Sequence, residues 1–229
     1  MKYQNIIFDL DSTLSSIEGI DELGKLRNMG KRIKRLTREA MSGRLPFGEV
    51  FIHRLELIKP TKNELKIIGK LYKNNITPGA KELVHWLLVN RLQVFVVTAG
   101  YTDCTYALTD HLGIPRQNVF ANELIFDKTD EFVGINRSIS LWRDNGKREI
   151  VSKITAGYPG KTICIGDGMG DWQAAKAADG FIYFGGVVFR PEVAAKAKII
   201  IKHRNLWELK RHLIKGLPFK DSPLRRIPL

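Results

Sequence analysis

Short apolar runs alternate with amphipathic segments along most of the 229-residue chain. Residues 5–8, 93–97, 119–121, 162–165 and 181–184 read as buried strands, with 199–201 a weaker sixth. Between them the apolar positions take helical spacing. Ala80, Leu83, Val84, Leu87 and Leu88 share one face of a helix whose first turn Pro78 suits. A second helical pattern, over 102–112, stops at Gly113, a natural C-terminal cap. Strands alternating with helices predict an α/β fold: a Rossmann-like, largely parallel sheet with helices on both faces.

The connection after the first strand breaks this rhythm, because residues 15–75 contain no good strand. Leu26, Ile33, Leu36 and Ala40 can share a face, with a basic run pointing outward. Thr61 and Glu64 form a capping-box pattern ahead of Leu65, Ile68 and Tyr72. An insert of about 60 residues exceeds a simple crossover, so it is expected to form a small helical cap. The chain then divides into a cap at 15–75 and a core at 1–14 and 76–229, of which 210–229 is a basic tail. Residues 124–135 resemble a hairpin with 127–131 as its turn.

With 44% hydrophobic and 9% aromatic residues the chain can bury a sizeable core. No apolar stretch approaches the roughly 18 residues of a membrane span. The apolar segment at residues 6–8 is too short, and too quickly acidic, for a signal peptide. Cys104 and Cys164 suggest neither a disulfide framework nor a metal cluster. A cytoplasmic location is therefore expected. The charge is more unusual: 37 Lys+Arg against 24 Asp+Glu, formally +13. Residues 25–38 hold seven basic residues and no acid, and residues 202–229 hold eight against Glu208 and Asp221. Such charge can attract nucleic acid, anionic membrane or an anionic substrate. The plainer reading, and the preferred one, is a solvated helix face and a basic tail.

Four groups of residues fall at the C-terminal ends of predicted strands or at helix starts, where open α/β sheets place ligands. Asp9-Leu10-Asp11-Ser12-Thr13 closes the first strand, and its two acids, one residue apart, can face one side of the chain. Alone, it could also be a polar turn. Thr98-Ala99-Gly100 ends the second strand; a hydroxyl beside free N–H groups at a helix start makes a phosphate seat or an ordinary cap. Lys147 lies at another predicted helix start. Gly166-Asp167-Gly168-Met169-Gly170-Asp171 follows the strand at 162–165, with glycines for a tight turn and two aspartates that can point at a cation. Its spacing is not that of a dinucleotide fingerprint, and no GxxxxGK[ST] loop occurs.

This order of motifs, DxDST, then T-x-G, then Lys, then GDGxxD, resembles the haloacid dehalogenase superfamily. Residues 18–23 (EGIDEL) and 39–47 (EAMSGRLPF), followed by Arg54, resemble its phosphoserine phosphatase branch. The likeness runs from about residue 4 to 209. It implies a Mg²⁺-dependent phosphatase with Asp9 as nucleophile and Asp11 as acid and base. Asp9, the main-chain carbonyl of Asp11 and Asp167 would hold the metal, and Asp171 one of its waters. Lys147, Thr98, Ala99 and Gly100 would bind the phosphate. In the cap, Glu18 would meet a substrate ammonium and Arg54 its carboxylate, with Met41 and Phe47 closing the pocket. O-phospho-L-serine, a small phosphorylated metabolite, is the substrate so implied; no membrane partner is expected, nucleic acid is disfavoured despite the charge of +13, and the oligomeric state stays open.

Two positions depart from the branch pattern. Ala99 replaces a glycine, and Gly170 stands where a side chain able to hydrogen-bond is usual. They leave open a phosphatase or phosphotransferase for another small alcohol phosphate, such as phosphohomoserine or phosphoethanolamine. The charge keeps two remoter readings in view, a nucleic-acid end phosphatase and a silent phosphate- or nucleic-acid-binding protein.

Overall fold

The structure, a computed structural model, describes residues 2–214. Its strands are β1 (Asn5–Phe8), β2 (Gln93–Tyr101), β3 (Val119–Asn122), β4 (Leu124–Phe126), β5 (Phe132–Ile135), β6 (Thr162–Gly166), β7 (Gly180–Phe184) and β8 (Ile199–Ile201). Its helices are α1 (Gly19–Leu26), α2 (Gly30–Met41), α3 (Phe47–Ile58), α4 (Lys62–Asn74), α5 (Ala80–Val89) and α6 (Thr102–His111). They continue with α7 (Gly146–Gly157), α8 (Met169–Ala174), α9 (Pro191–Ala194) and α10 (Lys210–Leu213).

Six strands form a parallel sheet in the order β3-β2-β1-β6-β7-β8. All four residues of β1 are buried, at the centre, because helices cover both faces. The two-residue period sorts the side chains. Ile6, Phe8, Val94 and Val96 pack with Leu83 and Leu87 of α5 and Leu108 of α6. Ile7, Phe95, Val97 and Cys164 pack on the opposite face with Val151 and Ile154 of α7. Both cysteines are buried free thiols. No helix among the described residues is long and apolar enough to cross a membrane.

Three expectations need correction. Strand β2 continues to Tyr101, and its register with β3 shifts between Val97 and Tyr101. The Thr98 hydroxyl accepts the Gly100 N–H at 2.9 Å, so Thr98-Ala99-Gly100 forms an irregular strand end and the helix begins only at Thr102. Pro78 lies outside α5, which Gly79 caps in the left-handed region at φ 77°. The Pro78 carbonyl is taken instead by the Leu206 N–H at 2.7 Å, and a Cβ on Gly79 would run into Asn205 and Trp207. Finally, Leu26 and Ile33 belong to different helices, separated by left-handed Asn28 at φ 56°. Leu26 is exposed, Leu36 is half-buried, and Ile33, Thr37 and Ala40 form the inward face of α2.

The sequence between β1 and α5 is helical as expected. Thr61 and Glu64 make the capping box of α4. The segment leaves and returns at one neck, where Ser15 bridges Ile76 and the Thr77 N–H donates to the Leu14 carbonyl at 3.0 Å. Gly69 of α4 lies against Cys104 and Ala107 of α6, anchoring that side on the sheet layer. Lys31, Arg32, Lys34, Arg35 and Arg38 of α2 point to solvent. Strands β4 and β5 form the antiparallel hairpin, with the Asp127 carboxylate accepting the Thr129 and Glu131 N–H groups in its turn. Of the basic tail, residues 215–229 lie outside the described residues.

Candidate active site

A cavity of about 490 Å³ lies between helices α2–α4 and the C-terminal ends of β1 and β2. Asp9, Asp11, Glu18, Met41, Phe47, Arg54, Thr98, Ala99, Gly100, Lys147 and Asp171 all line it. Of the residues expected to bind metal, phosphate or substrate, only Asp167 lies behind this wall, fully buried.

Local geometry explains how so short a segment delivers several groups. After Phe8 the chain makes one wide turn over Leu10–Leu14, with Ser12 left-handed at φ 52°. The turn brings residues 18 and 19 back over the strand end. There the Gly19 N–H donates to Asp11 Oδ1 at 2.7 Å, and the Ser12 hydroxyl to Glu18 Oε1 at 2.7 Å. The Tyr72 hydroxyl also donates to Asp11 Oδ1 at 2.7 Å, while Asp11 Oδ2 lies 3.4 Å from the Thr98 hydroxyl.

Acids outnumber cations around this point. Asp9, Asp167 and Asp171 bring carboxylate oxygens within 4.8 Å of one another, with Asp11 and Glu18 nearby. Lys147 Nζ sits 2.7 Å from Asp9 and 2.6 Å from Asp171. Arg190 Nη2 sits 2.8 Å from Asp167 and 3.2 Å from Glu18. Burial pushes the Asp9 carboxyl well above its ordinary range, and the charge of Asp171 adds to this while Lys147 opposes it. Burial likewise raises Glu18, helped by Asp11, and raises Asp11 against the Gly19 and Tyr72 hydrogen bonds. Asp167 is pushed up to about 6, by burial working against Arg190. Burial pulls the Lys147 ammonium down, but Asp171 and Asp9 hold it above its usual value.

Buried carboxylates in such excess call for a further cation. Asp167 Oδ1 is buried with no hydrogen-bond partner, and the cluster offers oxygen donors only. That donor set fits a hard divalent ion.

On the α-helical side, Arg54 is buried yet pairs with no carboxylate among the described residues. Met41 reaches over Gly168, and Phe47 opens α3, whose first N–H groups, on Phe47 and Gly48, are accepted by Asp144 at 2.9 and 3.2 Å. Sequence reasoning gave no role to five residues: Arg190, Tyr72, Asp144 and the buried, hydrogen-bonded pair Asp21 and Thr37. Arg190 follows the end of β7, so the strand-end rule could have found it among the many basic residues. Tyr72 reads as core, and only its hydroxyl contact separates it from Leu65 and Ile68 on the same face.

The site of acids and basic groups at the edge of a parallel sheet agrees with the comparison to known proteins. Residues 6–176 match the haloacid dehalogenase-like hydrolases, and the chain belongs to that family. The phosphoserine phosphatase of Arabidopsis thaliana chloroplasts is 38% identical over 199 residues, 86% of this chain and 68% of the relative. A phosphoserine phosphohydrolase-like protein from Francisella tularensis superposes with a TM-score of 0.84 at 29% identity, over 92% of this chain and all of that one. A phosphoserine phosphatase solved as a phospho-aspartyl intermediate analogue gives a TM-score of 0.80 at 29% identity, covering 93% and 100% of the two chains.

Proposed function

We propose that this hydrolase converts O-phospho-L-serine to L-serine and phosphate. The observation that carries the reading is that Asp9 and Asp11 open into the same cavity as Arg54, a buried guanidinium left without a carboxylate among the described residues. A carboxylate-bearing substrate would supply the missing partner through two parallel hydrogen bonds. Glu18 would take its ammonium, with Met41 and Phe47 closing the pocket.

In this reading residues 15–75 act as a cap over the core. Asp9 attacks phosphorus, the bond to the serine oxygen breaks, and Asp11 delivers a proton to that oxygen. The burial that raises Asp11 suits it to hold this proton. Asp11 then takes a proton from water as the water attacks the aspartyl-phosphate, releasing phosphate and restoring Asp9. Lys147, the Thr98 hydroxyl and the backbone at Ala99 and Gly100 neutralise phosphate oxygens as charge spreads. Mg²⁺, held by Asp9, Asp167 and the main-chain carbonyl of Asp11, with Asp171 on a bound water, would supply further charge neutralisation.

The test is phosphate release from phosphoserine, phosphohomoserine, phosphoethanolamine and an aryl phosphate, with Mg²⁺ and with chelator. Phosphoserine should lead, and chelator should stop the reaction reversibly. Arg54→Ala should lower kcat/KM for phosphoserine by about 30-fold to several thousand-fold, since an unpaired desolvated charge costs about 2–5 kcal/mol. The aryl phosphate should change only a few-fold. Equal losses on both substrates would remove the phosphoserine assignment.

A further inference from the structure

Arg54 is held by neutral groups alone among the described residues. Its Nε donates to the Val50 carbonyl at 3.4 Å and its Nη1 to the Thr37 hydroxyl at 2.9 Å. An arginine can only donate, so Thr37 accepts here and has a single proton left to give. Asp21 Oδ1 lies 2.5 Å from that hydroxyl, and the Ile33 carbonyl, one turn back, 3.1 Å away. The shorter contact, to a carboxylate, sets the direction: Arg54 to Thr37 to Asp21. The three residues sit on α3, α2 and α1 and are 5%, 3% and 8% exposed.

A polar relay buried between three helices gains little stability over a well-packed apolar trio. What it supplies is orientation. A carboxylate in direct contact would pin Arg54 but also compete with any anion arriving from the cavity. With a hydroxyl as spacer, one N–H is fixed while the positive charge stays available. We propose that Asp21 and Thr37 are positioning residues that hold Arg54 in this state, and so set the preference for substrates that carry a carboxylate.

The proposal rests on the reading of Arg54 given above, and the experiment separates the two. Thr37→Val keeps the shape and deletes the relay; Thr37→Ser keeps the hydroxyl; Asp21→Asn keeps the shape and deletes the charge. Steady-state kcat and KM are measured with Mg²⁺ on phosphoserine and on phosphoethanolamine, which lacks the carboxylate, alongside melting temperatures. Thr37→Val should raise KM for phosphoserine by about 10- to 100-fold, the range for losing one hydrogen bond to a charged group. Its kcat should change little, and phosphoethanolamine should stay within a few-fold. Thr37→Ser should restore the wild-type KM. Asp21→Asn should raise KM for phosphoserine selectively too, and it serves as the test if Thr37→Val does not fold. A selective loss in Arg54→Ala with none in Thr37→Val or Asp21→Asn overturns the proposal alone. So does an equal loss on both substrates in Thr37→Val, the signature of packing. If Arg54→Ala itself affects both substrates equally, the reading of Arg54 falls and the proposal with it.

Discussion

Replacing Lys147 by methionine tests the charge balance of the site directly. The ammonium lies 2.7 Å from Asp9 and 2.6 Å from Asp171, and its side chain is only 12% exposed. At an effective dielectric of about 20, each contact represents roughly 6 kcal/mol of gross attraction. Much of that offsets the cost of taking the ammonium out of water. Its loss leaves Asp9 and Asp171 facing each other uncompensated, which costs about 3–5 kcal/mol. At about 2–4 °C per kcal/mol for a chain of this size, the melting temperature should drop roughly 6–20 °C. Two processes relieve the deficit. A carboxyl whose pKa is raised in the folded state favours the fold when protonated, so stability lost at pH 8 should return toward pH 5. Added Mg²⁺ should also narrow the gap, by supplying the missing positive charge. The assay is thermal denaturation of wild type and Lys147→Met at pH 5, 6.5 and 8, in chelator and in excess Mg²⁺. A variant melting within about 1 °C of wild type at pH 8 in chelator would refute the electrostatic account.

Two further substitutions address the chemistry. Asp9→Asn nearly preserves shape but cannot attack phosphorus, so phosphate release should fall below about one-hundredth of wild type, a loss above about 2.7 kcal/mol. Residual turnover above that level, in a variant of unchanged melting temperature, rules Asp9 out as nucleophile. Asp11→Asn should lower turnover by about 10²–10⁴-fold, because both the acid and the base are lost. An unchanged rate and pH profile between pH 5 and 9 would exclude acid–base work by Asp11.

The elements and the local turns were legible in the sequence because they depend on short-range spacing. Alternation and helical periodicity locate the six parallel strands and the hairpin, and Thr61 with Glu64 marks the start of α4. Asp9 and Asp11, and Asp167 and Asp171, were identifiable because each pair follows a short buried strand, the second reaching into the first turn of α8, and the topology brings β1 and β6 side by side. Helix phase was less secure: a left-handed residue at Asn28 resets it, and the apolar pattern favours Leu36 as the inward residue where the structure buries Thr37. Burial of Thr37 follows from Asp21 and Arg54, which lie 16 and 17 residues away in the chain. Tertiary structure alone decided which charges meet. Arg190 reaches Glu18 across 172 residues and Asp167 across 23, and Lys147 joins Asp9 to Asp171. Composition records how many basic residues there are, but not which few are buried. A pairing energy depends on separation and burial, and for residues so far apart in the chain both are set only when the sheet and its helices close around them.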